Sequence, residues 1–325
     1  MSAPPPRLSV VIVEVSDTVA RRTDFAHLAR CLEALNGQID PPSMEILVPY
    51  LARGYDEPGI EEIKTRFPAV RLLPIEVRAA HDAAGGREHH DELRARGLAA
   101  ARGDLVGLLE DHARPDPHWC ARAVEAHRAP YAGIGGAIEN DVDRPLNWAV
   151  YFCDFYHYLN PVPAGESFRV SDANVVYKRS ALEAIRPVWE ESFREPEVNA
   201  ALAARGERLA LSPEIVLYQH RVGLELRDAI KERIIWGRSY AVIRGAGIGR
   251  GQRLLYVALS PALPALLWLR MARSVRRKGR CVGSFLRASP LIGLLTGAWS
   301  LGEAVGYVTG RSDGGRHVPA SPESV

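Results

Sequence analysis

The sequence predicts an α/β protein with a mainly parallel, doubly wound sheet and an apolar helical segment toward its C-terminal end. Three observations predict it. Short runs rich in Val, Ile and Leu alternate with segments of helical spacing over the first hundred residues. The triplet Glu110-Asp111-His112 falls where one such run ends, and open α/β sheets bind ligands just outside the carboxyl ends of their strands. Beyond Gly251 the composition turns strongly apolar, with one basic interruption.

Leu8 to Val15, rich in β-branched residues, reads as a first buried strand. Ala20 to Leu35 has helical apolar spacing. Glu45 to Val48 and Val70 to Ile75 are the next strands, with a helix near Gly59 to Phe67 between them that Pro68 ends. Ala79 to His90 has glycines, histidines and acids but no apolar period, and is expected to be a mobile loop. Arg94 to Arg102 is Ala- and Arg-rich and favours helix. Gly103-Asp104 breaks it, and Leu105 to Leu109 follows as a fully buried strand. Pro115 and Pro117 impose an extended exit.

Further on, Ala121 to His127 reads as a short helix and Tyr131 to Glu139 as a strand carrying a Gly pair. Leu146 to Tyr158 is aromatic and apolar, and Pro161 to Glu166 is a loop. Val170 to Tyr177 is a strand followed by a helix at Ser180 to Ile185. Val198 to Ala204 is helical, with Gly206 as its stop. Arg208 to Leu211 and Ile215 to Tyr218 are two short strands, and Leu226 to Arg244 is a long helix.

Two apolar stretches close the chain, Leu254 to Leu269 and Ser284 to Val308, joined by the basic run RMARSVRRKGR. The first is short for a straight membrane span and is broken by Pro261 and Pro264; the second contains Arg287, Pro290 and Glu303. Interfacial or re-entrant helices on the cytoplasmic face of a membrane are expected, since Lys and Arg favour the anionic leaflet. A soluble helical hairpin packed on the core is the alternative. The tail past Arg311 is Gly-, Ser- and Pro-rich and is expected to be disordered. The expected organisation is thus a domain at 1–250, a membrane-associated hairpin at 251–311 and a tail at 312–325.

The formal charge of +2 over 325 residues gives no reason to expect a nucleic-acid partner. Cys31, Cys120, Cys153 and Cys281 are scattered without metal-finger spacing, which fits a reduced, cytoplasmic chain. The start MSAPPPRLSVVIVEVS does not have the pattern of a signal peptide. No GxGxxG follows the first strand, which argues against a dinucleotide-dependent oxidoreductase.

The run RARGLAAARGDLVGLLEDHARPDPHW, Arg94 to Trp119, resembles the nucleotide-sugar half of family 2 glycosyltransferases of GT-A (Rossmann-like) fold, of the membrane-associated bacterial type. Arg94, Gly97, Ala101, Gly103, Asp104, Pro115, Pro117 and Trp119 match in order and spacing. The resemblance continues through Gly135-Gly136, DANVVYKRSALEAI, GERLALSPEIVLYQHR, KERIIWGRSYA and WSLGEAVGYVTG, and covers most of residues 8 to 310.

The resemblance implies an inverting sugar transferase that uses a nucleotide-diphospho-sugar and a lipid-linked or cell-envelope glycan acceptor. Such a leaving group gains negative charge as the sugar bond breaks, which a divalent metal held by an acidic cluster neutralises. A carboxylate takes the acceptor hydroxyl proton. The donor would meet Glu14, Arg94, Asp104, Glu110 and Asp111. A Mn²⁺ or Mg²⁺ ion would meet Asp111, His112 and His220. Glu195 would be the base. Glu139, Asp172, Asn174, Trp236 and Arg238 would face the acceptor. Simpler roles stay open: Asp111 as a turn cap, His220 as a structural histidine, Glu195 and Glu197 as favourable first-turn charges, and Trp236 to Arg238 as helix packing.

Two further positions depart from the family pattern. The first strand ends Val13-Glu14-Val15-Ser16-Asp17, without the usual base-contacting loop, and the second has no acid until Asp56. His112 stands where a metal-ligating Asp is usual. A non-catalytic relative that binds a sugar nucleotide or glycan as a membrane-associated scaffold is therefore the competing expectation.

Overall fold

A computed structural model describes residues 4–15, 25–52, 57–78 and 87–311. Its elements run β1 (Leu8–Val13), α1 (Ala26–Asn36), β2 (Met44–Leu51), α2 (Glu57–Arg66), β3 (Val70–Ile75), α3 (Arg87–Ala100), β4 (Leu105–Glu110), β5 (Ala113–Pro115), α4 (Trp119–Ala126), β6 (Gly133–Asn140), α5 (Pro145–Phe155) and β7 (Gly165–Glu166). They continue β8 (Asn174–Lys178), α6 (Arg179–Glu183), α7 (Arg186–Trp189), α8 (Glu195–Ala204), β9 (Leu209–Gln219), α9 (Leu226–Ala246), α10 (Arg250–Leu259), α11 (Leu263–Lys278) and α12 (Val282–Thr309). A 3₁₀ turn at Ser260–Ala262 joins α10 to α11. Ser16, Asp17, Asp56, the stretch 79–86 and the tail 312–325 lie outside the described residues.

The chain divides into two compact units. The first holds the described residues of 4–77, 89–141 and 157–221. Its sheet has the order β3-β2-β1-β4-β8-β6-β9-β5, with β7 paired to β9. β1 to β4, β6 and β9 run in one direction, and β5, β7 and β8 run against them. The expected α/β class with a mainly parallel sheet is what forms. Every residue of β1 is buried, as a strand covered on both faces requires. Val11, Leu47 and Leu108 pack with Leu93 and Leu98 of α3 on one face. Val10, Ile46 and Leu105 pack with Leu28, Leu32 and Leu35 of α1 and with Trp119 of α4 on the other.

Three expectations in this unit need correction. Arg87 to His90 are not loop but the first turn of α3. This helix buries His90, Asp91, Glu92 and Arg94, so an apolar period could not reveal it. Residues 170–173 are not strand: the Ser171 carbonyl accepts the Asn174 N–H at 2.9 Å and its Oγ accepts the Ala173 N–H at 3.3 Å, closing a turn before β8. The two short strands expected at 208–218 are one, β9. Its register against β6 jumps from Gly136↔Ser212 to Ala137↔Val216, and this bulge accommodates Pro213.

The second unit takes in the described residues of 78–88, 142–156 and 222–311. Its longest packing seam joins α9 to α12. A Cβ on Gly302 would collide with the Ile234 carbonyl, and one on Gly237 with that of Trp299, so the two backbones touch. Arg233 on α9 is buried and holds both oxygens of Asp154 on α5. The apolar stretch that looked short and broken belongs to a continuous helical run, Arg250–Lys278. Pro261 and Pro264 sit in first-turn positions, where a missing N–H costs no hydrogen bond. This run and α12 are each long and apolar enough to cross a membrane. Leu254, Leu255 and Leu259 on α10 and Leu266 and Leu269 on α11 are exposed, and α11 ends in Arg276, Arg277 and Lys278.

Candidate functional site

The site in the first unit lies at the carboxyl end of β4. Val13 of β1 sits in register with Glu110, the Asp111 N–H donates to the Val13 carbonyl, and Asp111 Oδ1 accepts the Val15 N–H at 3.1 Å. Glu14, between these contacts, is buried. The strand end thus closes on the end of β1, and Glu110, Asp111 and His112 project there together.

α3 supplies the residue that organises the cluster. Gly97 lets the helix rest directly on Val11, where any Cβ would collide with that side chain. This contact delivers Arg94, only 5 % exposed, to three carboxylates: Asp172 at 3.2 Å, Glu110 at 3.4 Å and Asp91 at 3.5 Å. Burial opposes the guanidinium charge, and Asp172, Asp91, Glu110 and Glu195 more than restore it. Glu195 therefore shares the electrostatic environment of Arg94, and its charge, like that of Asp172, also reaches the buried phenols of Tyr158 and Tyr177.

Glu195 opens α8. Its Oε1 accepts a hydrogen bond from Asn199 Nδ2 at 2.8 Å one turn on, and Asn199 Oδ1 accepts from the Tyr177 hydroxyl at 3.0 Å. The carboxylate is half-buried and held by a short relay rooted in the core. The first-turn placement also suits the helix dipole, so the structural and the chemical roles of this residue coincide.

His112 is buried between two carboxylates, with Nδ1 3.3 Å from Asp111 and Nε2 3.3 Å from Glu110. Burial disfavours its charge, but hydrogen bonds to Asp111 and Glu110 raise its pKa to about 9. Glu110 would be raised by burial, yet its hydrogen bond with His112 and the charges of His112 and Arg94 hold it down at about 2. Among the described residues no group of three or more His, Cys, Asp or Glu side chains stands ready as a metal cage. The donor chemistry nevertheless favours a cation. Among the described residues in these contacts, Asp91, Glu110, Asp111, Asp172 and Glu195 outnumber Arg94, Arg194 and His112. A further anion arriving here would need added positive charge.

His220 follows β9. Its N–H donates to the His112 carbonyl at 2.9 Å, and its Nδ1 lies 2.7 Å from Asp141 Oδ2. Arg114 grips the same carboxylate with two hydrogen bonds of 2.7 and 2.9 Å and lies over the Tyr218 ring. Burial would raise the Asp141 pKa, and the hydrogen bonds from Arg114 and His220 hold it low. His112, Arg114 and His220 line a cavity of about 480 Å³ together with His27, Arg30 and Glu33 of α1.

Other expected site residues fall elsewhere. Asp104 stands before β4, at the opposite end of the strand from Glu110, exposed and paired with Arg7 at 2.9 Å; it is no part of the donor cluster. Asn174 is wholly buried, accepting from Trp119 Nε1 at 2.9 Å and donating to the carbonyls of Ala137 and Ile215 at 2.9 and 3.0 Å. Its polar atoms brace the sheet and are not presented to an acceptor. Glu139 is buried and accepts the Asn160 N–H at 3.3 Å. Trp236 and Arg238 belong to α9 in the second unit, where Trp236 lies beside Arg233 and Arg238 Nε donates to the Arg311 carbonyl at 2.7 Å. Sequence reasoning missed Asp91, Asp141 and Asn199. Only Asn199 carried a signal, its four-residue spacing from Glu195.

No family model matches the chain, and no curated protein matches it. Among solved structures it resembles the mannosyltransferase PcManGT from Pyrobaculum calidifontis, captured with GDP-Man and Mn²⁺. Identity is 15 %, the TM-score is 0.52, and the match covers 94 % of this chain and 88 % of that one. TarS from S. aureus matches at 11 % identity and a TM-score of 0.42, over 71 % of this chain and 39 % of that one. The likeness to the mannosyltransferase shows the fold: this chain has a glycosyltransferase fold.

Proposed function

We propose that this protein is an inverting glycosyltransferase of family 2 and GT-A type. It moves a hexose from a nucleotide-diphospho-sugar to a lipid-linked or cell-envelope glycan. The observation that carries the reading is the meeting of Glu110 and Asp172 on the buried Arg94 at the carboxyl end of β4, with the charge of Glu195 acting on the same guanidinium. Glu195 takes the proton of the acceptor hydroxyl as that oxygen attacks the anomeric carbon, and Asn199 keeps its carboxylate oriented. Asp172 receives sugar hydroxyls, and Glu14 lies where the nucleotide enters. A Mn²⁺ or Mg²⁺ ion would be held by Glu110 and Asp111, and by His112 only once its ring gives up its proton and its two carboxylate contacts; the ion would neutralise the diphosphate leaving group. The GDP-Man and Mn²⁺ bound to PcManGT support a donor and a metal of these classes.

In this reading residues 1–250 carry the chemistry. Residues 254–308 attach the protein to the cytoplasmic face of a membrane. The exposed leucines of α10 and α11 and the basic end of α11 support that attachment.

Nucleotide release by purified protein, offered a panel of nucleotide sugars with Mn²⁺ or Mg²⁺, tests the activity. Turnover with one donor that Glu195→Gln abolishes while donor binding persists is the expected result. Absence of turnover with every donor, together with retained nucleotide or glycan binding, would favour the second reading, a non-catalytic binding relative. The locking of His112 between Glu110 and Asp111 is the observation on that side.

A further inference from the structure

The opposite edge of the sheet, remote from Glu110, carries a cavity of about 430 Å³. Arg7 precedes β1, Asp104 precedes β4, and Lys178 ends the antiparallel β8 in register with Leu105, so all three reach the same edge. Leu105, His127, Arg179, Ser180 and Glu183 complete the wall. The charges there are unevenly matched. Asp104 is engaged by Arg7, and Glu183 by Arg186. Among the described residues Lys178 and Arg179 meet only carbonyls, those of Ala129 at 3.3 Å and Gly103 at 2.9 Å, and neither has a carboxylate partner.

His127 adds a second, independent observation. It is only 5 % exposed, and its Nε2 hydrogen-bonds to the Val176 carbonyl at 2.9 Å. That bond makes Nε2 the protonated nitrogen and leaves Nδ1 a bare acceptor, and Nδ1 has no hydrogen-bond partner. Burial, reinforced by the positive charges of Lys178 and Arg7, lowers its pKa to about 4, so the ring is neutral at pH 7. A buried acceptor left without a donor is costly, and its neighbourhood is cationic. The complement is a group with anionic oxygens for Lys178 and Arg179 and one protonated oxygen, or an adjacent hydroxyl, for His127, whose ring lines the cavity and whose Nδ1 a small shift of its neighbours would open. Hydrogen phosphate and hydroxylated phosphate monoesters have that character, whereas sulfate has the charge without the donor.

We propose that this cavity is a second ligand site, for inorganic phosphate or a phosphate monoester, at the edge of the sheet remote from Glu110. It does not depend on whether sugar transfer occurs at the other edge.

Calorimetric titration of the full chain with inorganic phosphate, sulfate and glycerol phosphate, at constant ionic strength in chloride, tests it. Phosphate and glycerol phosphate are expected to bind, and sulfate about fivefold more weakly, the scale of one hydrogen bond. Lys178→Gln is expected to weaken phosphate about tenfold, the scale of one charge-assisted contact, and Arg7→Gln to weaken it in the same direction. Arg128→Gln removes an equal charge outside the cavity and is expected to change nothing. His127→Leu is expected to abolish the preference for phosphate over sulfate. If vesicles containing phosphatidic acid compete with phosphate where phosphatidylcholine vesicles do not, the monoester is a lipid headgroup; otherwise it is a soluble compound. Phosphate behaving like chloride, phosphate and sulfate binding equally, or both Lys178→Gln and Arg7→Gln binding as tightly as the parent chain would overturn the proposal.

Discussion

Asp141 Oδ2 lies 2.7 Å from His220 Nδ1, and Arg114 holds both oxygens of the same carboxylate. The contact assigns the proton to Nδ1 and turns Nε2 into the available nitrogen of His220. Asp141 thereby orients a histidine at the candidate site. Asp141→Asn is expected to lower kcat about tenfold or more with little change in donor KM, because second-layer partners of functional histidines act at that scale. Steady-state kinetics on folded variant protein measures this, and an unchanged kcat would remove Asp141 from the site.

Glu195→Gln keeps the shape and the hydrogen bond from Asn199 but cannot accept a proton. A loss of about 100-fold or more in transfer rate is expected, the usual contribution of a general base. Donor affinity, read by calorimetry, should stay within a few-fold. Asn199→Ala should lower the rate by less, because it frees the carboxylate without removing it.

Asn174 is expected to matter for stability. Asn174→Ala removes three buried hydrogen bonds and strands Trp119 Nε1 and the carbonyls of Ala137 and Ile215. A cost of about 3 kcal/mol follows from the desolvation of unpaired groups. Urea denaturation of the variant checks it, and a neutral result would mean that water replaces the side chain.

His127 predicts an acid dependence of stability. Its folded pKa, about 4, lies below its ordinary value of 6.5, so the unfolded chain takes up the proton first. Its contribution to stability is complete above about pH 6.5 and is lost as pH falls toward about 4. Melting temperature measured across that window should fall for the parent chain, and His127→Gln should flatten that part of the slope.

Membrane attachment rests on exposed side chains that can be removed. Changing Leu254, Leu255 and Leu259 to Asp takes apolar area from the face of α10 that the second unit leaves uncovered. Flotation with anionic vesicles is expected to fall sharply in this variant, and equal flotation would place the contact elsewhere.

Much of the first unit was legible because its strands are buried on both faces and read as unbroken apolar runs, as in Leu105–Glu110 and Leu8–Val13. Sequence-local chemistry marked Glu110, Asp111 and His112 at a strand end. What stayed hidden depended on contacts distant in the chain. Asp141 gains meaning only because β6 lies beside β9, and Asn174 looked like a sugar contact until Trp119 was seen to bind it. Pro213 split one strand into two on paper, because a bulge leaves no mark in an apolar pattern. Asp104 matched a motif but lies at the wrong end of its strand for donor chemistry.

The polar inner face of α3 has a consequence for the order in which this protein assembles. A helix whose buried positions include His90, Asp91, Glu92 and Arg94 brings only Leu93, Ala95 and Leu98 as buried apolar side chains to an early collapse. Besides Leu93 and Leu98 against the sheet, its hold comes from Gly97 meeting Val11 and from ion pairs that exist only once β4 and α8 are in place. This segment should consolidate after the sheet and open before it. In pulse-labelling hydrogen exchange, the amides of 90–100 should gain protection later than those of Leu8–Val13 and lose it at lower denaturant. The cluster that would perform the chemistry is then the last part of its own fold to become rigid.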